Sequence, residues 1–151
     1  MKAGNVLNFN DLKSATKTFN KNKPITIITE GLLRYLDSRE KTIVAENIKK
    51  LLKIYGGVWL TPDIIYKRNL RPDFVANNKR VAKLTGINIE KNKFKSLTEA
   101  RIFFKNLGFT IKSYNFMTML SQLKSPKKIN VTQKEVINTI NKRVVFVMTL
   151  K

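Results

Sequence analysis

The sequence predicts an α/β fold, and three observations support this class. A short apolar run, Ile25–Thr29, is followed by a long helical pattern and then by a second apolar run, Val58–Thr61. Two strands joined by a helix through short turns form a βαβ unit, in which the strands are parallel. A further helical pattern and two more apolar runs follow towards the C-terminus. No internal repeat or Gly/Ser-rich linker divides the chain, so we expect a single domain over residues 1–151.

The first of these strands lies between turn signals. We expect a short helix over Asp11–Phe19 before it, and Pro24 and Gly31 flank the apolar run. The run, Ile25–Thr29, is continuous and almost entirely β-branched. Such a pattern is typical of a parallel strand that is buried on both faces.

The helix between the two strands has a clear start and a clear end in the sequence. Asp37 and Glu40 have the three-residue spacing of a capping box, and Gly56-Gly57 is a helix stop. Between them, apolar residues recur at the spacing of one helix face, which predicts a helix packed against the sheet. These residues are Val44, Ile48, Leu51, Leu52 and Tyr55.

The second half of the chain is interpreted from the same signals. The irregular segment 64–95 is predicted to be an insertion on the substrate side, with a helix around Asp73–Leu84. A capping box at Ser96–Glu99 opens a further helix, and Gly108 ends it. The remaining predicted elements are strands at Phe109–Tyr114 and Val144–Met148 and, between them, a short helix opened by a capping box at Thr132–Glu135.

The composition removes several classes of chemistry. The chain has no Cys and no His, which excludes disulfides, thiolate or imidazole metal ligands and a catalytic histidine. Acid–base chemistry would have to come from the ten carboxylates, from Lys or Tyr, or from the substrate. No apolar run approaches the roughly 18 residues of a membrane span. The N-terminus also lacks the apolar stretch of a signal peptide, so we expect a cytoplasmic protein without membrane contact.

The formal charge of +20 leaves two interpretations open. Such a charge favours contact with nucleic acid or an acidic membrane surface. It also fits a biased composition, because Lys far outnumbers Arg and the basic residues are spread along the chain. A dedicated nucleic-acid binder more often has an Arg-rich stripe with interleaved aromatic residues. We therefore favour the compositional interpretation and keep nucleic-acid binding as the alternative.

Elimination among the ten carboxylates leaves two that the predicted helices do not explain. Most of the others lie at helix starts or on an exposed helix face. Glu30 and Asp63 instead follow the two parallel strands, at the sheet edge where open α/β sheets bind ligands. Asp63 has an equally good interpretation as a turn residue after Pro62. The interpretation as a turn residue is weaker for Glu30, because a carboxylate next to a buried strand is costly unless it is solvated, paired or bound to a ligand.

Three stretches of the sequence resemble one known family. They are ITEGLLRYL at Ile28–Leu36, GGVWLTPDI at Gly56–Ile64 and ARIFFKNLGF at Ala100–Phe109. They are similar to the C-terminal half of class I S-adenosylmethionine-dependent methyltransferases, in the branch of the leucine carboxyl methyltransferases and polyketide O-methyltransferases. That family has a Rossmann-like sheet of seven strands, mostly parallel, whose last strand runs antiparallel. The resemblance implies that the four predicted strands are strands four to seven of such a sheet.

The resemblance also implies an activity and a set of site residues. The activity is transfer of a methyl group from S-adenosylmethionine to a carboxylate or hydroxyl oxygen of a small molecule. In this in-line displacement the protein mainly supplies proximity and orientation. Glu30 corresponds to the acid that lies against the bound cofactor, and Gly4–Asn8 to the loop near its adenine. The implied cofactor contacts are Asn5, Val6, Leu7, Asn8, Glu30 and Gly31, and Tyr35 and Asp63 are implied on the substrate side.

The family's first two strands and its Gly-rich cofactor turn have no counterpart in the sequence. None of the six Gly forms a G-x-G pattern, and strand one would precede Gly4. Without strand one, Ile25–Thr29 would have an unpaired apolar edge, which favours pairing with another chain. We therefore expect a C-terminal fragment of a methyltransferase domain, completed by an N-terminal half or by a second copy through this edge. The alternative is a non-enzymatic basic module that binds nucleic acid or a partner protein.

Overall fold

The computed structural model describes residues 4–67, 72–115 and 143–151, together with the single positions 132, 134 and 137. Within these residues the chain forms a mixed α/β fold with one four-stranded sheet and four helices, which confirms the predicted fold class at this level. The predicted helix at Thr132–Glu135 lies, apart from the single positions, outside the described residues. In chain order the elements are α1 (Phe9–Ala15), β1 (Ile25–Ile28), α2 (Ser38–Tyr55), β2 (Gly57–Thr61), α3 (Pro72–Thr85), α4 (Leu97–Asn106), β3 (Phe109–Asn115) and β4 (Val144–Leu150).

The sheet has the strand order β1-β2-β4-β3. β1 and β2 are parallel and are joined by α2, which confirms the predicted βαβ unit. β4 pairs antiparallel with both β2 and β3, so the last strand runs against the other three. Within the described residues β1 is an edge strand, because it pairs with β2 on one side alone.

The helix α2 begins and ends as its sequence predicts. The Asp37 carboxylate accepts a hydrogen bond from the Glu40 N–H at 2.8 Å, and Glu40 Oε2 accepts one from the Asp37 N–H at 2.9 Å, which completes a capping box. The five apolar residues of the predicted face are all buried. Gly57 follows with φ +104°, and a Cβ there would lie 1.9 Å from the carbonyl oxygen of Ile25. Glycine therefore lets β2 approach β1 immediately after the helix ends.

The core lies on the face of the sheet that α2 and α4 cover. Trp59 of β2 is fully buried at its centre, with its ring edge-on to Phe104 at 5.4 Å and to Phe109 at 5.5 Å between centroids. The Trp59 indole N–H donates to the Thr29 hydroxyl at 3.0 Å, so the one polar atom of the ring is satisfied. Aromatic packing thus fixes β2 between the helix α4 and the end of β1.

The strand β1 is exposed on one face, so the prediction of a strand buried on both faces is wrong. Ile25 and Ile27 pack against the core cluster. Thr26 and Ile28 point to the other face, where Thr26 is exposed and Ile28 keeps 63% of its surface in water. The reason is that the described residues leave this face of the sheet open at β1, whereas α2 covers the first face.

Two further regions differ from the sequence prediction or refine it. α1 begins at Phe9, earlier than the predicted Asp11, because the Asn8 side chain caps it by accepting from the Asn10 N–H at 3.0 Å. The insertion 64–95 contains α3, and its two ends are joined at the base. There the Lys67 N–H donates to the Phe94 carbonyl at 2.8 Å, and the Phe94 N–H donates to the Ile65 carbonyl at 3.1 Å. The two ends of the insertion therefore lie side by side.

In the part of the chain that the structure describes, no helix combines the length and the apolar character needed to cross a bilayer.

Candidate functional site

A cavity of about 290 Å³ lies at the carboxyl end of β1, bordered by β1, by α2 and by the segment that contains α1. Most of the described residues that line it are aliphatic, and among them Glu30 is the one with a charged side chain. This is the end of a parallel strand at which open α/β sheets bind ligands. The lining residues are Val6, Leu12, Ile27, Ile28, Thr29, Glu30, Leu32, Ile48 and Leu51.

Glu30 lies at the point where the pairing between β1 and β2 ends. The Thr29 N–H donates to the Leu60 carbonyl at 3.1 Å, after which the chain leaves the sheet. Glu30 is exposed to solvent at this point. Water can therefore solvate its charge, and the cost of burying a carboxylate beside a strand does not arise. The burial cost therefore does not indicate a function for Glu30. Its position at the rim of the cavity does.

Val6 reaches the same cavity from the N-terminal segment. Its carbonyl accepts a hydrogen bond from the side-chain amide of Asn47, a buried residue of α2, at 3.0 Å. This bond holds the segment against the helix, so that the Val6 side chain forms part of the cavity wall.

The other three residues of this segment that the resemblance implies as cofactor contacts do not line the cavity. Asn5 accepts from the Leu7 N–H at 3.0 Å through its side chain, and Asn8 caps α1. Leu7 packs against the core cluster. The side-chain oxygens of both asparagines are thus occupied in shaping the turn that leads into α1.

Asp63 stabilises the turn formed by residues 31–36, which follows β1. Its carboxylate accepts a hydrogen bond from the Leu33 N–H at 2.6 Å, and the side chain is buried. Burial raises the pKa of the Asp63 carboxyl above its ordinary value, while the Leu33 N–H and the charge of Arg34 act in the opposite direction. The geometry therefore agrees with the interpretation of Asp63 as a turn residue, and Asp63 does not line the cavity.

Lys41 anchors the same turn from α2 and was missed by the sequence analysis. Its ammonium donates to the carbonyls of Leu36 and Asn92, the second at 2.7 Å, and lies 5.6 Å from the centre of the Phe94 ring. The residue is 3% exposed, and this burial lowers the pKa of Lys41, although the charges of Asp37 and Glu40 oppose the change. Its spacing before Val44 and Ile48 places it on the apolar face of α2, which is the signal that could have identified it.

The remaining residues of the stretch EGLLRYL have mainly structural contacts. Leu33 and Leu36 are core residues, and Gly31 has a φ of +69°, which lets the chain turn after β1. Tyr35 is 38% exposed, and its carbonyl accepts from the Asn92 side chain at 2.9 Å. Neither Gly31 nor Tyr35 lines the cavity. The structure thus brings together Val6 and Glu30, and it places the other predicted site residues elsewhere.

The basic residues are distributed over the surface. Each of the four helices carries at least one exposed lysine. They include Lys13 on α1, Lys50 and Lys53 on α2, Lys79 and Lys83 on α3, and Lys105 on α4. In the described ranges no cluster of three or more carboxylates could hold a metal ion.

No protein-family model matches this chain, and no curated protein is significantly similar to it.

Proposed function

We propose that the chain forms the C-terminal part of an S-adenosylmethionine-dependent O-methyltransferase domain, and that the cavity beside β1 accommodates the adenosine end of the cofactor. The observation that carries the proposal is that Val6 and Glu30 meet at one cavity. The two residues are distant in the sequence, and the resemblance assigns both of them to the cofactor. They meet at the carboxyl end of a parallel strand, which is where open α/β sheets bind ligands.

The arrangement of the sheet supports the same proposal. The parallel pair β1 and β2, joined by α2, corresponds to strands four and five of the family. The last strand, β4, is the one that runs antiparallel, as the resemblance implies.

The chemistry of the cavity suits part of this cofactor. Aliphatic walls such as Leu12 and Leu51 match a flat purine ring, and the Glu30 carboxylate can accept hydrogen bonds from hydroxyl or amino groups at the rim. The volume of about 290 Å³ is at the lower limit of the roughly 300–1,000 Å³ of ligand pockets, so the rest of the molecule would extend beyond it. S-adenosylmethionine, when bound, supplies an activated methyl group on its sulfonium. The residues that line the cavity would bind and orient it.

Titration calorimetry of the purified chain with S-adenosylmethionine tests the proposal. We expect saturable binding, weakened about tenfold by Glu30→Gln because a charge-assisted hydrogen bond is lost. We expect a stronger loss in Val6→Phe, whose larger side chain would fill the cavity. Glu46→Gln is the matched control, since Glu46 pairs with Lys49 at 3.3 Å on α2 and does not line the cavity.

Two results would contradict the proposal. The first is no heat of binding at millimolar ligand in a chain whose circular dichroism shows that it is folded. The second is equal loss of affinity in Glu30→Gln and Glu46→Gln, which would indicate a non-specific charge effect. Micromolar binding to generic DNA or RNA that falls steeply with salt, without cofactor binding, would support the basic module instead.

A further inference from the structure

Arg34 has a buried nitrogen for which the described chain provides no hydrogen-bond partner. The residue lies in the turn 31–36, in which the Tyr35 N–H donates to the Leu32 carbonyl at 3.1 Å. Arg34 as a whole is half-buried, but its Nε atom is buried and has neither a donor nor an acceptor in contact. Buried polar groups without a partner within the protein are rare, and where they occur they commonly bind water or an ion.

The acids around the turn are engaged elsewhere or lie in solvent. Asp63 influences Arg34 by its charge, but its carboxylate accepts from the Leu33 N–H at 2.6 Å, and no ion pair joins it to the guanidinium in the described structure. Of the acids that flank the turn, Glu30 is exposed and Asp37 forms the capping box of α2. A guanidinium has five N–H donors and no acceptor. Those of Arg34 are therefore available to a negatively charged group from outside the chain.

The position of Arg34 in the fold is one at which ligands bind. The turn follows β1 and is held from the end of β2 by Asp63, so it lies at the carboxyl ends of two parallel strands. The centre of the guanidinium lies 5.5 Å from the centre of the Tyr35 ring, a contact that restricts its orientation. A planar group of N–H donors held in this way matches the paired oxygens of a carboxylate or a phosphate.

We propose that Arg34 binds the oxyanion group of a small-molecule ligand, a carboxylate or a phosphate, through Nε and one of the two Nη atoms. The oxygens of this group would accept from the buried Nε–H, and its charge would offset that of the guanidinium. Arg34 does not line the cavity assigned to the cofactor, although Leu32 of the same turn does. The inference therefore does not rest on the proposed function and requires no cofactor.

The Nε–H signals of individual arginines in NMR spectra provide the first test. Inorganic phosphate and acetate are added separately at constant ionic strength and mildly acidic pH, where these protons exchange slowly enough with water to be observed. We expect the Arg34 signal to shift saturably with one or both anions, which also identifies the preferred oxyanion. Arg39, an exposed residue of α2, is the internal control and should shift little. An Arg34 signal that moves no more than that of Arg39 in both titrations would overturn the inference.

Substitutions test whether the guanidinium or the positive charge alone attracts the anion. Arg34→Lys keeps the charge but removes Nε–H and the planar set of donors. We expect it to weaken binding of the preferred anion, measured from the backbone amide signals of the turn, by about tenfold. Arg34→Met should lose binding altogether, whereas Arg39→Met, which removes the same charge from an exposed position, should bind as the wild type does.

Two results with the variants would refute the inference. The first is an affinity of Arg34→Lys equal to that of the wild type, and the second is an equal loss in Arg34→Met and Arg39→Met. Urea unfolding of each variant establishes that it is folded, and the titration of the wild type does not depend on any variant.

S-adenosylmethionine titration of the wild type and of Arg34→Met separates this inference from the proposed function. We expect equal cofactor affinity in the two, because Arg34 does not line the cavity. A wild-type chain that binds the oxyanion but no cofactor would refute the proposed function alone. One that binds the cofactor but neither oxyanion would refute the inference alone.

Discussion

The two faces of the sheet at β1 differ in how their side chains are buried and paired. On the side that α2 and α4 cover, polar groups are buried and paired: the Trp59 indole binds the Thr29 hydroxyl, and Asp63 binds the Leu33 N–H. On the free side, Ile28 is 63% exposed and Glu30 lies in solvent. The two sides are separated by the thickness of one strand.

This difference separates residues that determine the fold from residues that remain available for binding. A buried polar group must find a partner within the protein, and Asp63 and Lys41 have found theirs in the turn 31–36. Glu30 and the edge of β1 have no such task in the described structure. We therefore expect substitutions on the covered side to lower stability, and those on the free side to alter binding with little effect on stability.

The largest expected effect is from Trp59→Ala. The substitution removes the ring that packs on Phe104 and Phe109 and leaves the Thr29 hydroxyl without its donor. We expect the free energy of unfolding in urea to fall by about 3–5 kcal/mol. Ile28→Ala, on the free side of the neighbouring strand, is the control and should change it by less than about 0.5 kcal/mol. Similar losses in both variants would refute the difference between the two sides.

A smaller loss is expected from Lys41→Met. Methionine keeps the helix propensity and the apolar stem, but it leaves the Leu36 and Asn92 carbonyls without their donor. Loss of these bonds outweighs the relief from burying a charge, and we expect destabilisation of about 1–3 kcal/mol. Lys53→Met, on the exposed face of the same helix, should be nearly neutral. An increase in stability in Lys41→Met would show that the buried charge costs more than its hydrogen bonds contribute.

An element of this fold could be predicted from the sequence where the residues that determine it lie within the element or next to it. The capping box at Asp37, the apolar spacing of α2 and the glycine after it define the helix without any knowledge of the sheet. The two faces of β1 could not be predicted, because its β-branched run fits a strand buried on either one face or two. What covers a strand is decided by elements distant in the sequence.

The candidate site was predictable only in part for the same reason. That Glu30 ends a strand follows from its neighbours in sequence, and the structure places it at the cavity rim. Asp63 has the same local signal after β2, yet it binds the backbone of a turn thirty residues away. The spacing of Lys41 on the apolar face of α2 indicates that it is buried, but its acceptors lie in two separate loops. Long-range hydrogen-bond partners of this kind cannot be identified from spacing in the sequence.

The smallest expected effect is on the pH dependence of stability. It is measured for Asp63, with Glu30 as the reference acid. Burial raises the pKa of Asp63 in the folded chain above its ordinary value of 3.8. The folded state therefore holds this proton more tightly than the unfolded state does. The stability that results is fully present below pH 3.8 and is lost as the pH rises through the folded pKa. Asp63→Asn lacks this contribution at every pH.

Unfolding in urea at several pH values between about 7 and 4 measures the effect, since this range spans the titration of a carboxyl with a raised pKa. The difference in unfolding free energy between wild type and Asp63→Asn should move in favour of the wild type as the pH falls. Glu30→Gln supplies the reference for losing one negative charge from a chain of formal charge +20. A difference that moves in favour of Asp63→Asn on acidification would mean that the Leu33 N–H and Arg34 outweigh burial. Asp63 would then be held as a carboxylate by its turn, and the covered side of β1 would stabilise a charge more strongly than water does.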